Sequence, residues 1–345
     1  MAKQTIFLTG ATGYIGGSVL WRLLHHKDAA NFKLKVLVRS AEKAKLFKDK
    51  FGIDATVGSY QEEDKLEALA AEADYVIATA DCRNLSATKA ILSGLKKSKE
   101  RTGRVPSFIH SSGTGVLGDS AAGAFASEKI YNDASVEDIQ SLAITQPFRD
   151  VEVAVAAADA EGYVRTYIIS PSTIYGIPKN GFTEAGLQHA HSIQVPMFIR
   201  ASLGRGQGGM IGLGKNKWPN VHIDDLADLY IVLFDKIRSD PERTPHGREG
   251  YYFGAAAEHQ LYDVAKAIAE ALVALGKGKS SEPTTFTQED LDKYFKGVCP
   301  SAFFGCNARC VAYRSLSIGW KPLKSTPDLI ASIRPEVEAL VAEGV

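Results

Sequence analysis

The residues of this sequence most able to do chemistry begin near its start, in Gly10-Ala-Thr-Gly13-Tyr-Ile-Gly16. This segment closes a compact apolar run, Thr5–Thr9, and opens a stretch in which Ile15, Val19 and Leu23 share one helical face. A pyrophosphate needs peptide backbone close to it, and glycine removes the side chains that would hold it off. The start of the following helix adds unpaired amides, through Thr12, Tyr14 and Ile15, and the positive end of a helix dipole. In a strand–loop–helix setting the three glycines therefore read as a cradle for a dinucleotide. The next strand ends Val36-Leu37-Val38-Arg39-Ser40, with Lys43 one turn further on. A carboxylate at that tip would bind a ribose 2′-hydroxyl and repel a 2′-phosphate, and none stands there. Arg39 offers a stacking and pairing group, with Ser40 a second donor, so the expected cofactor is NADP(H), with NAD(H) as the alternative.

Four cysteines, Cys82, Cys299, Cys306 and Cys310, raise the question of a metal. The spacing of the last three matches no common zinc pattern and no histidine lies nearby, so they read as reduced thiols with no metal site. The N-terminus carries no signal-peptide pattern, and no apolar run is long enough to span a bilayer, so a cytoplasmic protein without a membrane partner is expected. Lys+Arg 40 balances Asp+Glu 40, which leaves no global field to draw nucleic acid.

The elements that must position these residues alternate. Strands are expected at Thr5–Thr9, Leu34–Val38, Ala55–Val57, Asp74–Thr79, Val105–His110, Tyr163–Ser170 and Tyr251–Phe253. Helices are expected between them, at about Tyr14–His26, Ala41–Lys50, Glu62–Ala71, Leu85–Lys99 and Phe148–Glu161. Such β-α alternation implies an α/β fold with a doubly wound parallel sheet. Two stretches interrupt it: a long polar insertion, Gly113–Pro147, and a glycine-rich segment, Gly181–Leu213. A helix with Asp224 as its N-cap is expected over Val221–Phe234, and another over Leu261–Leu275. A length of 345 residues suits about two domains.

Four segments, in order, carry a resemblance: TGATGYIGG at 9–17, Ser170-Pro171-Ser172-Thr173-Ile174-Tyr175-Gly176, Val221-His-Ile-Asp224-Asp225-Leu, and Leu316-Ser-Ile-Gly319-Trp320-Lys-Pro322. Together they resemble the extended short-chain dehydrogenase/reductase family, which includes nucleotide-sugar epimerases, dehydratases and carbonyl reductases. The resemblance implies a Rossmann domain over 1–178 and 215–254, and a smaller, discontinuous α/β substrate domain over 179–214 and 255–345. It implies cofactor contacts at Thr79 and Ala80, at Pro171 and Thr173 beside the nicotinamide, and at Ser59 where the family often has an acidic residue near the adenine. It also implies pairing of two copies through helices such as Phe148–Ala160, and a small-molecule substrate.

The family's chemistry uses a Tyr-x-x-x-Lys pair and a Ser or Thr. Here Gly113 stands at the Ser/Thr position, and Phe148 and Glu152 stand where the tyrosine and lysine belong. The chain thus looks like an atypical branch, with the cofactor loop kept and the proton relay lost. Tyr175–Lys179 is broken by Pro178 and Tyr262–Lys266 lies on a late helix, so both matches to the spacing read as coincidence. Candidate proton donors are Thr114 and Ser112, which flank Gly113, together with Tyr175, His189 and His191. Two functions follow. One is an NADP(H)-dependent oxidoreductase acting on a small carbonyl compound or a nucleotide sugar. The other is a catalytically silent NADP(H)-binding regulator or scaffold, which a pocket filled by Phe148 would favour.

Overall fold

The alternation folds as a seven-stranded sheet in which all six pairings are parallel. The computed structural model describes residues 3–297 and 303–344. Across the sheet the strands run Tyr251–Gly254, Arg165–Pro171, Ser107–Ser111, Tyr75–Ala78, Gln4–Thr9, Phe32–Val38 and Asp54–Val57. The central strands are apolar on both faces because helices cover both; Ile6, Phe7, Val76, Ile77, Phe108 and Ile109 are all buried. The chain order reverses beside the first strand, which places the carboxyl ends of the first, fourth and fifth strands around one crevice. No helix among the described residues is long and apolar enough to cross a membrane.

Two elements differ from expectation. Val221 and His222 belong to a strand, Lys217–His222, which pairs in parallel with Thr173–Tyr175 and antiparallel with Ala257–Gln260. The helix begins afterwards, at Ile223–Ser239, and its N-cap is His222, whose Nδ1 accepts the Asp224 amide at 3.2 Å. Asp224 is therefore inside the first turn, where its carboxylate meets Arg22 at 3.4 Å. The glycine-rich stretch hides a twelve-residue helix, Gln194–Arg205. Gly206 ends it in a left-handed conformation (φ 64°), and Gly208 and Gly209 leave room for Ala269 and Phe286.

That helix anchors a second apolar cluster, with Val195, Phe198 and Ile199 against Phe286, Phe295, Phe304 and Leu329. The small three-stranded sheet takes strands from both of the expected units. The polar insertion is tied down by Asp133, buried, whose carboxylate accepts the amides of Phe253, Arg314 and Ser315 and the Ser315 hydroxyl.

Candidate active site

The cradle follows from the glycines. Gly10 has φ 77°, and a Cβ there would stand 2.7 Å from the Thr79 hydroxyl. A Cβ on Gly16 would collide with the Gly10 carbonyl oxygen and with Thr79. The Gly13 amide donates to the Gly10 carbonyl at 2.8 Å, which closes the loop. No side chain caps the helix Tyr14–Leu24 that starts there, so its leading amides have no intrahelical acceptor. Thr79 ties the ends of two strands together, its hydroxyl donating to the Thr9 carbonyl at 2.7 Å, and Ala80 follows it, half-buried.

The other expected cofactor residues lie at or just beyond strand ends. Arg39 is exposed and has no carboxylate partner among the described residues. Ser40 caps the next helix, its Oγ accepting the Lys43 amide at 3.2 Å, while Lys43 Nζ reaches the Leu187 carbonyl at 3.4 Å. Ser59 bonds locally to Gln61 and, through its amide, to Glu62. Glu62 is held below its usual range by Lys65, and then by that amide. Pro171 ends its strand, buried, and the Thr173 hydroxyl donates to Gln194 at 2.5 Å.

Part of the glycine-rich segment packs on the cradle. The His189 amide donates to the Thr12 carbonyl at 3.0 Å, and buried Gln188 donates to both the Tyr14 carbonyl and Ser18. The Tyr14 hydroxyl donates to the Gly176 carbonyl. Burial, first, and nearby Glu336 hold Tyr14 well above its usual pKa, so it stays a neutral donor.

At the relay positions the structure separates the candidates. Thr114 is fully buried and its hydroxyl has no partner among the described residues. The Tyr175 hydroxyl donates to the Ser325 carbonyl at 2.9 Å, which joins its strand to the start of the C-terminal helix, and burial raises its pKa. His191 is bound between Glu336 at 2.6 Å and Glu343 at 2.8 Å, and His189 is exposed beside the cradle. Cys82, Cys306 and Cys310 are free thiols, and Cys299 lies outside the described residues.

Ser112 is different. Its hydroxyl donates to Glu152 Oε1 at 2.6 Å. Glu152 is completely buried, and its other oxygen accepts Arg149 Nη1 at 3.0 Å. Arg149 in turn reaches the Tyr251 hydroxyl at 3.0 Å. Burial pushes the Glu152 carboxyl up, and the Ser112 and Arg149 bonds oppose it. Phe148 lies outside the helix it was expected to open. It is the N-cap of Arg149–Ala160, in a left-handed conformation (φ 68°) that L side chains rarely adopt. Its buried ring stands 3.4 Å from where a Gly113 Cβ would lie and 3.3 Å from that of Gly115. Arg149, Tyr251 and Gln188 were not singled out from sequence. Only the Arg149–Glu152 pair left a signal there, the i, i+3 spacing of opposite charges on one helix.

Residues 2–133 match the model of the NmrA-like family. The chain is 30% identical over 341 residues to Oxidase ucsJ of Acremonium sp, covering 94% of each chain. It is 25% identical over 335 residues to an uncharacterized protein of Schizosaccharomyces pombe, covering 93% of this chain and 96% of that one. Among solved structures it is similar to a UDP-glucose 4-epimerase from Thermotoga maritima, with TM-score 0.67 and 14% identity over 99% of this chain and 100% of that one. It is also similar to a dTDP-glucose 4,6-dehydratase from Bacillus anthracis in complex with NAD, with TM-score 0.66 and 16% identity over 98% and 97%.

Proposed function

Because the chain belongs to the extended short-chain dehydrogenase/reductase family, as an atypical member, we propose that it is a nicotinamide-dinucleotide-dependent oxidoreductase. In this reading it prefers NADP(H) and acts on a small carbonyl compound or a nucleotide sugar. The observation that carries the reading is the cradle, where Gly10 and Gly16 have no room for a side chain and the following helix is uncapped. The dinucleotide, when bound, supplies or accepts the hydride. Backbone amides of Tyr14, Ile15 and Gly16 would hold its pyrophosphate, and Arg39 and Ser40 would hold the 2′-phosphate.

Proton movement falls to Ser112. Its own hydrogen is directed at Glu152, so its oxygen is free to accept a proton from a substrate alcohol. In oxidation the alcohol proton passes to Ser112 Oγ, and the Ser112 hydrogen passes to Glu152 Oε1. Reduction runs the same two transfers backwards. Burial, by raising the Glu152 pKa, makes that carboxylate a better base than an exposed one. Arg149 holds Glu152 ionised before the transfer, against the effect of burial. The protein acts in the cytoplasm and pairs with a second copy through Arg149–Ala160, which leaves Val153 exposed.

One observation favours a second reading, a silent NADP(H)-binding regulator or scaffold: the buried Phe148 ring stands against both Gly113 and Gly115. Fluorescence titration with NADPH and NADH tests the cofactor, and NADH binding as tight as NADPH would remove the Arg39 argument. A panel of aldehydes, ketones, alcohols and nucleotide sugars tests turnover. NADPH binding without turnover anywhere on the panel would replace the enzyme with the regulator.

A further inference from the structure

Arg83, beyond the fourth strand, has no carboxylate partner among the described residues. The Arg83 guanidinium lies 5.2 Å from the centroid of the Phe148 ring and 5.2 Å from that of Phe303. The two rings are 6.2 Å apart and nearly perpendicular, so the guanidinium rests in the corner they make. The Arg83 side chain is exposed, and among the described residues only its backbone is bonded, its amide donating to Asp81 Oδ1 at 3.0 Å. Arg149, the cation next to Phe148, is already committed to Glu152.

The position matters more than the exposure. Arg83 follows the fourth strand, four residues beyond Thr79 of the cradle. Phe148 reaches the end of the fifth strand at Gly113, and Phe303 touches the space beside Gly115 from the C-terminal part of the chain. Arg83 therefore stands at the carboxyl ends of the fourth and fifth strands, on the edge of the sheet where open α/β sheets bind their ligands. Two aromatic walls hold the guanidinium plane and shed water from it, which pre-organises a planar fork for a planar anion. A single free charge matches one carboxylate better than a diphosphate.

We propose that Arg83, set in the corner of Phe148 and Phe303, is a carboxylate-binding subsite, and that the substrate is a carbonyl or hydroxy compound carrying a carboxylate near the reacting carbon. The proposal rests on the oxidoreductase reading above. It gives Phe148 a task that tyrosine does not have in the relay: a platform for the arginine.

The test uses the full-length protein, with and without NADPH. The probes are pyruvate, 2-oxobutanoate and benzoylformate, methyl benzoylformate as the uncharged match of the last, and inorganic phosphate. Affinities are read by calorimetry, and NADPH affinity is measured separately for each variant. At least one of the carboxylates should bind the wild type, and benzoylformate should bind about tenfold or more tighter than its methyl ester, the range of one charged hydrogen-bonded pair. Arg83→Gln should remove that difference while leaving NADPH affinity and the melting temperature unchanged, and Arg83→Lys should restore only part of it. The subsite is overturned if no carboxylate binds, if acid and ester bind alike, or if Arg83→Gln leaves the acid's affinity intact. Tighter binding of phosphate than of any carboxylate overturns the assignment to a carboxylate. Loss of NADPH binding by the wild type would instead overturn the dinucleotide reading, and the arm without NADPH still reads the subsite.

Discussion

Restoring the relay by substituting Phe148→Tyr and Glu152→Lys should fail, and the reason can be measured without any substrate. Glu152 is completely buried and Arg149 is only 7% exposed. They meet at 3.0 Å, with Ser112 and Tyr251 filling remaining bonds. Removing one partner of such a pair leaves the other charge buried, at a cost of about 3–5 kcal/mol, whereas removing both with apolar residues of similar size is often close to neutral. Glu152→Leu should therefore cost about 4 kcal/mol, or a drop of about 5 °C in melting temperature for a chain of this length. Glu152→Lys should be worse, since it sets two cations together. Arg149→Met with Glu152→Leu should recover most of the loss. Urea and thermal melts of the two single variants and the double variant give the coupling directly. A Glu152→Leu variant within about 1 kcal/mol of wild type, or a double variant no better than the singles, would refute the argument.

Gly16→Ala should fold but lose NADPH affinity by at least about tenfold, because the added methyl meets the Gly10 carbonyl and forces the loop apart; fluorescence titration reads this. His110 is buried with neither ring nitrogen bonded, and burial lowers its pKa to about 4; His259 is lowered likewise to about 4. Both stay neutral in the fold while the unfolded chain takes up protons below about 6.5, so stability should fall as pH drops from about 6.5 towards about 4, by a few kcal/mol for each histidine. Urea melts of His110→Leu and wild type at neutral and acid pH should show that share of the slope removed, and equal slopes would exclude His110. Gly113 has an extended backbone (φ −171°), and a Cβ there would meet the Phe148 ring at an ordinary 3.4 Å, so Gly113→Ser should melt within about 2 °C of wild type.

The parallel sheet was legible because its central strands are short runs buried on both faces, and the cradle because glycine spacing encodes backbone contact directly. The helix Gln194–Arg205 was not legible. Pro196 sits in its first turn, where a missing amide costs nothing, and Gly206 is its stop, so residues that punctuate a helix read as residues of a loop. His222 misled for a related reason. The strand Lys217–His222 passes into the next helix without a connecting loop, and the apolar spacing of the helix ran back into the strand. Arg83 and Glu152 needed tertiary knowledge. The charge of Glu152 acquires meaning only when Ser112, forty residues earlier, is found 2.6 Å away.

The cradle and the relay are held by different parts of the molecule, which explains how one is kept while the other is replaced. The cradle depends on backbone at Gly10, Gly13 and Gly16 and on the first and fourth strands, joined by Thr79. The relay positions depend on the fifth strand and on the helix that starts after Phe148. On that side the changes lock together. The Phe148 ring lies close to Gly113 and Gly115, Arg83 rests on the ring, and Glu152 needs Arg149 for its charge and Ser112 for its remaining bond. A lysine at 152 would face Arg149 across a distance now spanned by an ion pair. Each departure from the family pattern therefore makes the others harder to reverse singly, and none of them touches the glycine loop.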